Sequence, residues 1–598
     1  MLNTYHKLWD LLSLKERKQA VFLLFTMISY GALEMFGIVS IFPLVAVLTD
    51  PGLIEKNQLL NNIYAYLDFQ STENFLIFLT ISVFIITVTR TLYNGFLNHS
   101  ILRYTQIRIQ SLSTRLLQSY LNRPYIYFLG RHSADMGKSI LSEVETVVYG
   151  SLVPSLDLIS RSIISSFVLI ALFVAEPSTA IISLLTLSTS YAIIYALLRR
   201  YLLRKGVESI EANRNRFMIA QEALVGIKEI QVRDATNVYL QNFSKTTGFF
   251  HRIKINRSLV KLLPQLFIQI SATGGILILI IILLTKVEDN YNQIIPIVAL
   301  YAFAGMRILP VIQGLFKNLT SIRGNKPALE ILHRELTEYP NNSSKVNKNA
   351  ITNFSNKISL ENISFSYPDS KQAVINNLSL NIKAKTTVAF VGSTGAGKST
   401  LIDLILGLLE PDQGNIRIDN IKLDYSLRKS WQKLIGYVPQ SIFIADDTIA
   451  KNIALGLDQK DIDYDHIKSV ARLANLDTFI KNDLPFGYET KVGEAGVKLS
   501  GGQRQRLGIA RALYLNPKVL IFDEATSALD NLTEQKIMQS ILNLKDSLTI
   551  IMIAHRLTTI KECDTIFHIK KGTLRSKGNF KELCENDEVF RDMASNLI

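Results

Sequence analysis

At 598 residues, 48% of them hydrophobic, the chain is too long for one ordinary core. Its mean hydropathy of +0.20 is high for a soluble protein, and the apolar residues concentrate in the N-terminal half. A net charge of +14 raises nucleic acid as a partner, but no recognition motif accompanies it, and membrane topology with anionic lipid accounts for the basic residues instead.

A helix needs roughly 20 mostly apolar residues to cross a bilayer, and six stretches meet that length: 19–49, 75–97, 153–175, 178–198, 262–285 and 292–316. The first is about twice as long as the apolar region of a signal peptide and lacks a small-residue cleavage site, so it is expected to stay in the membrane. Basic residues mark the cytoplasmic side. Lys15, Arg17 and Lys18 precede the first span, Arg103, Arg108, Arg115, Arg123 and Arg131 follow the second, and Arg199, Arg200 and Arg204 follow the fourth. Both termini are therefore expected in the cytoplasm.

The loop 51–70 carries Leu53, Leu60, Tyr64 and Leu67 at helical spacing, which fits either an amphipathic helix on the outer surface or a packed loop. Segments 98–150 and 199–260 are polar yet helically periodic and extend the spans beyond the bilayer. Each is interrupted, at Asn122-Arg123-Pro124-Tyr125 and from Val225-Gly226 to Arg233-Asp234, and these tips are candidates to touch a second domain.

Ionisable side chains inside the spans are costly and are functional candidates. Glu34 lies about fifteen residues beyond Lys18, roughly 22 Å of helix and so near mid-bilayer; it is either a substrate contact or a carboxylate paired with an Arg of another span. Asp157 and Arg161 are spaced to pair on one helix face. Arg90 and Arg307 have no partner at helical spacing and are candidate substrate contacts, whereas Arg257 and Lys261 are placed to snorkel.

The periodic pattern stops after Arg334, giving a membrane domain over 1–334, a polar linker over 335–357 and a third region over 358–598. There, β-rich runs alternate with helical stretches, the pattern of an α/β domain with a largely parallel sheet. Cys563 and Cys584, the two cysteines, fall in this cytosolic half and are expected as free thiols.

The run Gly392-Ser393-Thr394-Gly395-Ala396-Gly397-Lys398-Ser399-Thr400 follows an apolar strand and opens a helix. It is a phosphate loop: its glycines let backbone N–H groups surround phosphates, Lys398 reaches the β and γ phosphates, and Ser399 ligates Mg²⁺. Downstream, Val519-Leu520-Ile521-Phe522-Asp523-Glu524 is an apolar strand ending in two carboxylates. Adjacent strand residues face opposite ways, so Asp523 is expected toward Mg²⁺ and Glu524 toward the attacking water.

With Leu499-Ser500-Gly501-Gly502-Gln503, the chain resembles an ATP-binding cassette exporter with fused membrane and nucleotide-binding domains. That resemblance implies ATP and Mg²⁺ as cofactors. It gives Tyr367 adenine stacking, Gln440 a contact to Mg²⁺ and a relay to the membrane half, and His555 the γ-phosphate. Ser500, Gly501, Gly502, Gln503 and Asp530 are implied to complete the ATP site of another copy, and the intact set favours a homodimer. The stretches Leu33 to Leu44 and Met306 to Pro310 are similar to bacterial flippases of lipid-linked oligosaccharides, the PglK type. The implied activity is ATP-driven movement of an amphiphile, such as a lipid-linked oligosaccharide, to the outer leaflet of the bacterial cytoplasmic membrane by alternating access. Export of another lipid, a hydrophobic drug or a peptide is the alternative. A DNA-organising ATPase shares the ATPase motifs but needs long heptads, which this chain lacks.

Overall fold

The computed structural model describes residues 2–131, 133–175, 177–286, 310–338, 350–368, 370, 372–524, 531–542, 544, 547–553 and 560–595. Two compact units are present, Met1–Arg123 with Gly130–Asn341, and Pro124–Leu129 with Asn342–Ile598.

The first unit is helical. It begins with α1 (Leu2–Leu11), α2 (Leu14–Val39), α3 (Ile41–Thr49), α4 (Leu53–Lys56), α5 (Gln58–Tyr66) and α6 (Thr72–Leu121). Ser13 and Glu16 cap α2 reciprocally. The Glu16 carboxylate also accepts from Ser111 Oγ at 2.7 Å and pairs with Arg108 at 3.0 Å, which fastens the start of α2 to α6.

The polar continuations of the spans are helical, as their periodicity implies. The helix α6 runs for 50 residues and ends at the expected tip. Further on come the short α7 (Ile126–Leu129), α8 (Ser133–Lys138) and α9 (Val144–Val147), then α10 (Val153–Ala175), α11 (Pro177–Val225), α12 (Ile227–Val232) and α13 (Thr236–Lys286). The breaks at Gly226 and at Asp234, whose φ is +51°, fall where the second interruption was read. Expected spans 178–198 and 262–285 lie within α11 and α13, while 292–309 lies outside the described residues. Among the described residues, three helical stretches are long and apolar enough to cross a membrane: Leu14–Thr49, Thr72–Leu121 and Asp135–Ile170.

The loop 51–70 is packed. Ile54 and Leu60 are buried with Val47, Phe75 and Leu79, and the Tyr64 and Phe69 rings meet Phe75 at 5.3 and 5.4 Å. Two π-helical turns, Ser139–Glu143 and Val148–Leu152, were not foreseen. Neighbouring helices take up their carbonyls: Ser113 Oγ donates to Ile140 O at 3.0 Å, and Ser321 Oγ and Asn325 Nδ2 donate to Gly150 O at 3.2 and 3.3 Å. A Cβ on Gly150 would stand 2.4 Å from Asn325 Nδ2, so only glycine admits this contact.

The second unit has two sheets. The first is β2-β1-β4-β5, from β1 (Lys357–Phe365), β2 (Ile375–Lys383), β4 (Gln413–Ile418) and β5 (Ile421–Lys422). The second is β10-β9-β3-β8-β7-β6, from β3 (Thr387–Val391), β6 (Ile435–Val438), β7 (Val519–Asp523), β8 (Thr549–Ile553), β9 (Thr565–Lys570) and β10 (Thr573–Gly578). Its neighbours are parallel from β9 through β3, β8 and β7 to β6, with β10 antiparallel at the edge. The antiparallel first sheet adds to the largely parallel sheet expected. Burial explains the split: β3 and β8 are buried throughout, whereas β2 alternates buried and exposed positions.

Candidate nucleotide-binding site

The parallel order β3-β8-β7-β6 brings the segments after β3, β7 and β6 to one edge, the carboxyl ends of the strands, where open α/β sheets bind ligands. After β3 the chain turns through Gly392, Gly395 and Gly397, with φ of +152°, +78° and +99°, values that L side chains rarely adopt. A Cβ at Gly392 would also lie 2.2 Å from Ile569 O. The turn opens the helix Lys398–Ile405. Lys398 is buried at 7% exposure and folds over the loop, donating to Gly392 O at 2.8 Å and Ser393 O at 3.1 Å. Burial lowers the pKa of its ammonium, and Glu524 and Asp523 oppose that shift. The loop therefore offers curled backbone and a cation beside two carboxylates. Ser399 and Thr400 open the helix, and the exposed Ser393 and Thr394 with buried Ala396 complete the loop.

Asp523 ends β7 half-buried, and Tyr437 OH lies 3.5 Å from its Oδ2. Glu524 leaves the strand in a left-handed conformation, φ +51°. This corrects the expectation that both carboxylates sit on one strand and diverge by its alternation; the backbone turn at Glu524 separates them. Gln440, two residues beyond β6, donates from Nε2 to Glu524 Oε2 at 2.8 Å. Lys398, Gln440, Asp523 and Glu524 thus converge. The hydroxyl of Ser399, the amide of Gln440 and the carboxylate of Asp523 are hard oxygen donors, a set that fits Mg²⁺.

Tyr367 is half-buried, with its ring edge-on to Phe365 at 5.1 Å and its hydroxyl 3.0 Å from Thr400 Oγ1. Ser500 caps the helix Gly501–Tyr514: Gln503 N donates to Ser500 Oγ at 3.2 Å and Ser500 N donates to Gln503 Oε1 at 2.7 Å. The side-chain-free Gly501 and Gly502 leave that helix start accessible. His555 and Asp530 lie outside the described residues.

Sequence reasoning missed three participants. Arg511, on the Ser500-capped helix, donates to Phe443 O and to Asn452 O, both at 2.7 Å, holding the chain just after Gln440. Asn452, fully buried, bonds Ala445 and Thr448 carbonyls at 3.0 and 3.1 Å. Asp403, on the phosphate-loop helix, has its carboxyl pushed up to about 6 by burial and by the Asp523 charge. An Arg within a motif helix was the one available signal; Asn452 and Asp403 carried none.

In the first unit, Arg90 Nη1 meets Glu34 Oε1 at 2.6 Å, with Glu34 buried and Arg90 largely so, and Tyr30 OH donates to Glu34 Oε2 at 3.0 Å. Arg90 has no partner at helical spacing on its own helix, as read, but it is paired across helices, which is the second of the two readings given for Glu34 and removes the picture of an unpaired cation. Arg161 and Asp157 pair at 2.8 Å as spaced. Arg257 does not snorkel; it is half-buried and donates to Asn325 Oδ1 at 3.2 Å. Arg307 lies outside the described residues.

Residues 375–527 match the family model described as ABC transporter. The chain is 33% identical over 456 residues to ABC transporter B family member 29 of Arabidopsis thaliana, covering 75% of this chain and 70% of that one. It is 28% identical over 579 residues to the ATP-dependent lipid A-core flippase of Pseudoalteromonas translucida, covering 96% and 95%. Other curated relatives are matched over less than two thirds of their own length, 60% in one case and 18% in another. A bacterial Atm1-family ABC exporter solved with ATP bound shares the fold, with a TM-score of 0.81, 21% identity, and 97% and 98% coverage. The chain belongs to the ABC transporter family, and its second unit is the family's ATPase domain.

Proposed function

We propose that the protein is an ATP-driven lipid flippase that works as a homodimer in the bacterial cytoplasmic membrane, with both termini and the ATPase domain cytoplasmic. The convergence of Lys398, Gln440 and Glu524 at one sheet edge carries the catalytic part of this reading. Gly392 to Thr400 hold the phosphates by backbone N–H groups and the Lys398 ammonium, and Tyr367 faces the adenine. Ser399, Gln440 and Asp523 would hold Mg²⁺, which would supply charge neutralisation on the phosphates when bound. Glu524 accepts the proton of the attacking water, and His555 holds the γ-phosphate.

A second copy supplies Ser500, Gly501, Gly502, Gln503 and Asp530. Two features favour that partner. The glycine-lined helix start offers N–H groups suited to an anion, and the two ends of α12 expose the apolar Leu224, Val225 and Val232 at 74%, 79% and 80%.

The cargo is an amphiphile with a phosphorylated head group, and a lipid-linked oligosaccharide is the finer assignment. Glu34, Arg90 and Arg307 are its proposed contacts, with Arg90 exchanging Glu34 for a phosphate. The name of the full-length flippase relative favours a lipid and makes a lipid A-core molecule the second reading. Flipping in proteoliposomes tests both. Outward movement of a polyprenyl-pyrophosphate glycan with ATP, and not without it, supports the proposal. Movement of lipid A-core alone selects the second reading, and ATP-dependent movement of hydrophobic dyes alone overturns both.

A further inference from the structure

The chain passes between the two units three times, at Arg123/Pro124, Leu129/Gly130 and Asn341/Asn342. One buried carboxylate ties the first-unit side of the first two crossings to the helix that precedes the third. Glu335, six per cent exposed, lies near the end of the helix Lys326–Thr337, the last helix before the third crossing. Its Oε2 accepts from Arg123 Nη1 at 2.6 Å, and Arg123 is the residue before the first crossing. Its Oε1 accepts from Arg131 Nη1 at 3.1 Å, and Arg131 follows the second crossing by one residue. Arg123 also donates to the Glu335 backbone carbonyl and lies over the Tyr120 ring at 4.7 Å.

The other end of the same helix is tied as well. Asn325, its N-cap, donates to Gly150 O in the second π turn at 3.3 Å and accepts from Arg257 of α13 at 3.2 Å. Along its side, Lys7 meets Glu330 at 3.8 Å and His333 meets Asp10 at 3.5 Å, both from α1. The helix Lys326–Thr337 is thus a short strut with membrane-helix contacts at one end and the crossings at the other.

We infer that Glu335 is a positioning residue for coupling: by holding Arg123 and Arg131, it makes the first two connections move as one body with the helix Lys326–Thr337, so that nucleotide-driven motion reaches the membrane helices. The arrangement suits that role. A desolvated pair with short bonds resists separation, two guanidinium groups on one carboxylate fix direction as well as distance, and rigid elements joined by such networks carry coupling between sites. ATP hydrolysis itself does not use Glu335, because the residues proposed for that step all lie in the second unit.

The test uses the full-length protein in nanodiscs of phosphatidylethanolamine and phosphatidylglycerol. ATP turnover is measured alongside hydrogen–deuterium exchange in the first unit, with and without ATP plus vanadate. In the wild type, trapping is expected to change uptake across Leu53–Tyr66. E335Q is expected to hydrolyse ATP within about twofold of wild type while that uptake change shrinks about threefold or more, and E335D restores part of it. A full uptake change in E335Q overturns the inference. So does loss of turnover and uptake change together in E335Q of normal yield, which marks a merely structural pair, and so does a wild type without any change. If E335Q is not recovered from membranes, R131A decides on the same criteria with a smaller loss, because Arg131 is 45% exposed and meets one oxygen of the carboxylate.

Discussion

In the second unit, Lys398 bonds carbonyls six and five residues away; in the first, Arg123 bonds Glu335 across 212 residues. The two regions place their charges by different means. The phosphate loop is a backbone shape, which three glycines at positive φ impose and a single short segment can encode. The membrane unit depends on pairs between helices, Glu34 with Arg90, Glu16 with Arg108 and Arg123 with Glu335, each buried and each made only after the helices pack. Local shape is robust to its surroundings, whereas a buried pair fails if either member is removed. That difference separates what substitutions will do in the two units.

The largest effect is expected in the local site. Glu524→Gln keeps the hydrogen bond from Gln440 in reach but removes the proposed base, so phosphate release should fall by about 10²–10⁴. ATP binding should persist, measured as labelled ATP retained after filtration. Turnover equal to wild type would remove Glu524 from the reaction and leave Asp523 as the one carboxylate to consider.

Next come the pairs of the membrane unit. Glu34→Ala strands the Arg90 guanidinium among buried side chains and should cost about 3–5 kcal/mol, whereas the double variant E34L/R90M should recover most of that loss. Thermal unfolding in nanodiscs reads both. The double variant also separates structure from transport: if it is stable and still flips lipid at the wild-type rate, the pair is structural and Arg90 leaves the proposed cargo site.

A third expectation concerns pH. The Asp403 carboxyl sits at about 6 against 3.8 for an ordinary aspartate, so the folded state takes up a proton that the unfolded state releases. Its contribution is full below about pH 4 and is lost as pH rises through about 6. Asp403→Asn removes the dependence. The variant should match wild type near pH 4 and exceed it by about 1–3 kcal/mol above pH 7, as seen in denaturant midpoints of the nucleotide-free protein. A flat difference across that range would show that Asp403 does not titrate there.

These cases also show how much of the molecule was legible beforehand. The helix breaks at Asn122 and Gly226, the phosphate loop and the carboxylate-ended strand are all written in neighbouring residues, and the structure has them where spacing puts them. Arg131 was legible as a positive charge marking the cytoplasmic side, and Arg123 as that and as part of a helix-breaking tip; nothing in the sequence links either to Glu335, more than 200 residues later. The π turns were hidden for a related reason, since the side chains that satisfy them, Ser113, Ser321 and Asn325, come from other helices. The left-handed turn at Glu524 escaped because strand alternation was extended one residue too far.

The smallest effect tests whether the local site is as self-contained as its motif implies. Tyr367 stands outside the phosphate loop yet reaches it through the 3.0 Å bond to Thr400 Oγ1, the one side-chain link on which its placement there rests among the described residues. Tyr367→Phe keeps the ring, and its edge contact with Phe365, while removing that bond. Stability should fall by about 0.5–1.5 kcal/mol, the worth of one half-buried hydrogen bond, and the KM for ATP should stay near wild type. Tyr367→Ala should raise KM, because it removes the ring proposed to stack on the adenine. If the phenylalanine variant raises KM as much as the alanine variant, the hydroxyl and its hold on Thr400 position the nucleotide. The phosphate loop would then depend, like the membrane unit, on a partner outside its own segment.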